Sequence, residues 1–130
     1  MTGRRFRILV VGLAVLLGGA PAAFAHEMTE RYIPVGQSPG LSGKYSIIGT
    51  LQSVDAREQT VAIARPAGTA SAKITERTKI WLDRSKLRQT NLKGTIADLR
   101  PGLTVEVKLE GHARGAASGP AEWIKVEIPQ

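Results

Sequence analysis

A serine in a five-residue frame, two tryptophans, a basic loop and two histidines are the residues whose types and spacing bear on chemistry. Gly36-Gln37-Ser38-Pro39-Gly40 matches the G-x-S-x-G frame of a hydrolase nucleophile elbow. Such an elbow holds its serine on a tight strand-to-helix turn, where the next N–H helps to bind an oxyanion. Here the next residue is Pro39, which has no N–H, and no strand or amphipathic helix flanks it. The frame reads as a Pro-Gly turn. Asp55, Asp83 and Asp98 stand singly, without the spacing of an acid–base pair. No nucleotide, zinc or calcium signature is present. The expectation is a chain that is not an enzyme and needs no cofactor.

Trp81 lies between Ile80 and Leu82, and Trp123 precedes Ile124. If the aliphatic residues face a core, a period of two turns both indoles to the outer face. Lys79 and Asp83 then share the face of Trp81, and Lys125 that of Trp123. Indoles beside lysines can stack on a sugar, a base or a peptide. The competing expectation is that residues 26–44, through Tyr32, Ile33 and Val35, lie over the indoles as a lid, since exposed aromatics are costly. Arg84, Lys86, Arg88 and Lys93 decorate the segment that follows the Trp81 strand. They read as a solvated loop or as a surface for an anionic lipid or glycan. The candidate binding residues are therefore Trp81, Trp123, Lys79, Lys125, Arg84 and Lys86.

His26 becomes an N-terminal residue if a leader is removed after Ala25. A free amine with the same residue's imidazole can chelate copper(II), and His112 offers a further nitrogen. Metal-ligand spacing is otherwise missing, so unrelated surface histidines are the plainer reading.

The leader itself is well marked. Arg4, Arg5 and Arg7 form a positive start, Ile8 to Leu17 an apolar and glycine run, and Ala23-Phe24-Ala25 a small-x-small cleavage site. The run is short for a bilayer span. The flanks of Arg4-Arg5 fit the twin-arginine pattern poorly, which favours the general secretory route. Cleavage leaves 105 residues, enough for one modest domain, and removes three arginines and no carboxylate. The remaining 15 basic and 11 acidic side chains give a mild positive excess. With no cysteine, disulfides, thiolate metal sites and a lipidated N-terminal cysteine are excluded. A periplasmic or secreted product that does not span a membrane follows, and nucleic acid is not its expected natural ligand.

Residues 26–44, rich in Gly, Pro and Ser, show neither a helical nor a strand period and read as an irregular arm. A domain over 45–130 follows, with a rhythm of short strands. Ile47, Gly49 and Leu51 alternate with Ile48, Thr50 and Gln52. Asp55 to Gln59 is a hairpin loop, with Thr60 to Ala64 returning antiparallel. A third strand near Ser71 to Ile74 has an extension at Lys79 to Leu82. Leu103, Val105, Val107 and Leu109 point one way, against Thr104, Glu106 and Lys108, as in a half-buried strand. Gly111 to Pro120 reads as a long loop before a last strand, Glu122 to Ile128. Thr95 to Leu99 is a helical turn closed by Pro101-Gly102. These elements make an all-β protein: a small five-stranded OB-like antiparallel barrel with one short helical turn between strands 3 and 4. A small open sandwich is the alternative.

The progression Gly49-x-Leu51-x-Ser53-Val54-Asp55, Thr60-Val61, Thr78-Lys79-Ile80 and Ala97-Asp98-Leu99-Arg100-Pro101-Gly102-x-Thr104-Val105-Glu106-Val107 resembles small exported bacterial OB-like domains of unknown function. The resemblance covers roughly residues 48–128 and implies fold and export, since its motifs are turns and strand entries. By shape the chain is also similar to the periplasmic copper- and silver-binding OB proteins of metal efflux. Their paired methionines are missing, for only Met28 remains after cleavage and it lies in the arm. Three functions stay open: a binding or accessory module for an unidentified protein or small polar ligand, a copper-handling protein using His26, and a structural domain without a small ligand.

Overall fold

The computed structural model describes residues 29–111 and 114–130. The leader, His26 and His112 lie outside them.

Among the described residues seven strands form: β1 (Ile47–Asp55), β2 (Thr60–Ala64), β3 (Ala70–Lys73), β4 (Lys79–Asp83), β5 (Leu92–Lys93), β6 (Thr104–Leu109) and β7 (Ser118–Glu127). Their sheet order is β3-β2-β1-β6-β7-β4-β5. A further pairing of β3 with β7 closes β1, β2, β3, β7 and β6 into a five-stranded barrel. The protein is thus an all-β barrel of the OB-like type. β7 is long enough to serve twice: its first residues pair with β3, and Trp123 to Glu127 pair with β4. Both of these pairings are parallel, whereas the sequence suggested antiparallel strands throughout. The crossover through β4, β5 and the turns before β6 brings the chain back in the same direction. That is the geometry a parallel pair requires.

The inward residues are those the alternation selects. Leu51, Val61, Ile63, Val105, Val107, Ile124 and Val126 are each at most 2% exposed and share one core cluster. Each such side chain contributes roughly 1.5–3 kcal/mol on leaving water. Gly49 allows β1 to cross close to β2. A Cβ there would fall 2.8 Å from Ile63 Cγ2 and inside contact distance of the Ala64 carbonyl oxygen. A bulge at Gln52 shifts the β1–β2 register between Leu51 and Ser53, re-aiming the strand between its two partners.

The helical turn between the third and fourth barrel strands is a 3-10 turn at Ile96–Asp98. A capping box holds it, with Asp98 Oδ2 accepting from the Thr95 N–H at 2.8 Å. A second 3-10 turn, Ser85–Leu87, and strand β5 give order to the basic segment read as a loop. The last strand begins at Ser118, earlier than its glycine and proline suggested. Residues 29–32 are helical, and a series of turns then carries the arm to Ser46. Among the described residues no helix is long and apolar enough to cross a membrane.

Candidate functional site

Three neighbouring strands, β6, β7 and β4, build one outer face, and their registers place its residues in rows. Lys108 lies opposite Trp123, which lies opposite Lys79. In the next row Glu106 faces Lys125 and Lys125 faces Trp81. Glu127 and Asp83 make a third. Aliphatic residues between these positions join the core, so period two does bring the indoles, lysines and carboxylates to the side away from it.

That face is not open. Trp81 is 8% exposed, Trp123 3%, Lys125 1%, Asp83 1% and Glu106 0%. The arm lies across it, and its polar groups meet those of the sheet one by one. Asp83 Oδ2 accepts from the Val35 N–H at 2.9 Å, and Glu106 Oε1 accepts from the Gly36 N–H at 2.8 Å. The other oxygen of Glu106 accepts from the hydroxyls of Ser42 and Ser46, each at 2.6 Å. Those hydroxyls in turn accept from the Ser38 and Gly43 N–H groups. The polar side of β6 is therefore not the solvated side expected from alternation: the arm buries Glu106, while Lys108 is buried beside Glu122 and the Leu109 and Gly111 carbonyls. The alternation distinguishes two faces, but a second segment decides whether the polar one meets water.

Lys125 is enclosed by the same device. Its Nζ lies 3.2 Å from Glu30 Oε2, 3.1 Å from Ser38 Oγ and 4.5 Å from the centre of the Trp123 ring. Ser38 donates to the Glu30 carboxylate at 3.0–3.1 Å. Desolvating two charges offsets most of their attraction, so this pair adds little net stability but strongly penalises any mispositioned arm. The serine of the G-x-S-x-G frame is thus a buried bridge, 4% exposed, between a carboxylate and an ammonium.

Asn91 fastens the arm at the other side. Its Oδ1 accepts from the Arg84 N–H at 2.7 Å, and its Nδ2 donates to the Arg31 carbonyl at 2.8 Å. Arg31 returns a hydrogen bond to the Asn91 carbonyl, and its guanidinium sits 5.9 Å from the Trp81 ring centre and 5.5 Å from that of Tyr32. Among the described residues, buried Trp81 Nε1 has no hydrogen-bond partner.

The other candidate residues are dispersed around this face. Lys79 is half-buried. Arg84 donates through Nε to the Thr90 carbonyl at 2.7 Å. Lys86 Nζ lies 2.8 Å from Glu127 Oε1, and that hydrogen bond, with the attraction of the same carboxylate, holds the ammonium above the usual lysine range. His26 and His112 fall outside the described residues, among which no group of three potential metal ligands occurs. Sequence reasoning missed Glu30, Ser42, Ser46, Asn91 and the role of Glu106. Its available signal was the pair of outward carboxylates, Asp83 and Glu106, beside an arm rich in N–H and O–H donors.

Elsewhere the outer surface of β1, β2, β3 and β7 carries a row of small residues, Ser53, Ala62, Ser71 and Ser118. No aromatic ring stands there for stacking, although strands two and three are the usual ligand surface of this fold. A pocket of about 50 Å³ beside Lys44, Tyr45 and Arg65 has room for water. A wider hollow of about 290 Å³ lies between Arg100, Leu103 and Ile128. Neither includes a tryptophan. No family model, curated protein or solved structure matches this chain.

Proposed function

We propose that this is an exported, non-enzymatic binding or accessory domain whose Trp81/Trp123 face recognises a short peptide segment and is occupied by its own arm. The observation that carries the reading is the capture of successive backbone amides. Val35 and Gly36 donate to Asp83 and Glu106, carboxylates set on two different strands. Recognition through main-chain N–H groups, with Lys125 selecting a carboxylate and the indoles supplying apolar surface, is peptide chemistry. A partner segment rich in glycine and serine, with an acidic residue to meet Lys125, has the same complementarity as the arm.

The structural reading, a domain without a small ligand, draws support from the burial of Lys125 and Glu106 at 1% and 0% with arm groups as their partners. The two readings differ in how the arm opens. Native-state hydrogen exchange at Val35 and Gly36 separates them on the intact protein. Exchange through an opening well below the global unfolding free energy fits a face that a partner can enter. Exchange only through global unfolding leaves the structural reading.

A further inference from the structure

We propose that the corner formed by the start of the arm and the β4–β5 connection docks on an anionic lipid surface. Residues 84–97 hold four cations and no carboxylate. The acidic groups around them are engaged within the protein. Asp83 accepts from Val35 and Ser85, Glu30 pairs with Lys125, Glu127 pairs with Lys86, and Asp98 closes its capping box. Arg88 and Lys93 are exposed and take part in none of the salt bridges among the described residues.

Apolar groups stand among these cations. Tyr32 is 53% and Leu92 40% exposed, two of the three exposed large hydrophobic residues among the described residues. Both border the edge strand β5: Arg31, whose guanidinium lies near the Tyr32 ring, donates to the carbonyl of Asn91, the residue before Leu92. The register sets Leu92 beside Leu82 and its neighbour Lys93 beside Trp81, so the edge presents apolar and basic groups on its two sides. Asn91 in turn binds the backbone of Arg84. Basic side chains interleaved with a tyrosine and a leucine suit the headgroup boundary of a bilayer. There the cations meet phosphates and the apolar groups leave water. A soluble polyanion satisfies the charges and gives Tyr32 and Leu92 nothing. This corner includes the start of the arm, so its proposed role belongs to the arm-closed protein and does not require a peptide on the covered face.

The test is sedimentation of the processed protein with vesicles of phosphatidylcholine alone and with added phosphatidylglycerol. Binding is expected only to the anionic vesicles and falls as salt is raised. Arg88→Gln and Lys93→Gln each lower the partition coefficient about five-fold. Leu92→Asp lowers it further, while Arg57→Gln, an exposed cation in the β1–β2 hairpin, leaves it unchanged. Inorganic phosphate at matched ionic strength does not compete, which separates a lipid surface from a free-phosphate site. All these positions are exposed, and thermal melts verify that each variant folds. Absent binding to anionic vesicles overturns the proposal, as does binding insensitive to Arg88 and Lys93. Equal affinity for a soluble polyanion that survives Leu92→Asp assigns the corner to that polyanion instead and also overturns it.

Discussion

Asp83 and Glu106 stand on strands that do not pair, with β7 between them, yet they accept the N–H groups of adjacent residues, Val35 and Gly36. One turn of the arm thus reports the spacing of three strands. The arm is consequently held by a fixed set of hydrogen bonds rather than by apolar contact alone.

Glu106→Ala removes the acceptor for one amide and two hydroxyls in a site closed to water. It is expected to cost roughly 3 kcal/mol. Glu106→Gln, which keeps one acceptor oxygen but turns N–H groups toward donors, costs about 2 kcal/mol. Urea unfolding of both variants checks the order, and a loss below that of ordinary surface substitutions contradicts the contact set.

The buried pair has a different signature. Removing either Glu30 or Lys125 alone strands a charge and costs about 3 kcal/mol, whereas replacing both with apolar residues costs much less than the sum. A double-mutant cycle with Glu30→Leu and Lys125→Met is expected to give a coupling of about 1–3 kcal/mol. Additive losses refute the pairing.

Lys86 and Glu127 provide the contrast, since both side chains reach solvent. The folded ammonium is raised above its unfolded value, so any stabilisation is complete below the ordinary lysine range. It disappears only as pH rises through the folded value. Lys86→Met therefore leaves the shape of the stability curve from mildly acid to neutral pH unaltered. A difference from the parent that grows or vanishes within that window speaks against this assignment.

Asn91→Ala loses hydrogen bonds to both Arg84 and Arg31. The expected cost is roughly 2 kcal/mol, with faster amide exchange at Val35 and Gly36 as the arm loosens. Asn91→Asp retains the acceptor for Arg84 but sets a carboxylate oxygen against the Arg31 carbonyl, so it loosens the arm as well.

Gly49→Ala tests the barrel itself. Its Cβ meets backbone as well as the Ile63 side chain, and little can yield. A loss of about 3 kcal/mol or failure to fold is expected, against near-neutral behaviour for Ala at a solvent-facing strand position.

The barrel was readable because strand and core share one local code. The alternation around Thr60–Ala64 and Thr104–Leu109 marks both strands, and Pro101-Gly102 marks the end of the turn that precedes the second. Strand β5 escaped because two residues, Leu92–Lys93, are too few to show a period. The start of β7 was hidden by Gly119 and Pro120, which read as loop. The site was legible only in part. Period two places Trp81, Trp123 and Lys125 together on a face. The contact that covers them joins Lys125 to Glu30 across 95 positions, and no local pattern encodes it.

Single-tryptophan variants of the protein, Trp81→Phe and Trp123→Phe, test the covered face most directly through acrylamide quenching of the remaining indole. Both should emit at short wavelength and resist the quencher until the protein unfolds or the arm is loosened by Ser42→Ala with Ser46→Ala. Native-state indoles that emit at long wavelength and quench as freely as in urea would contradict a face closed by its own arm.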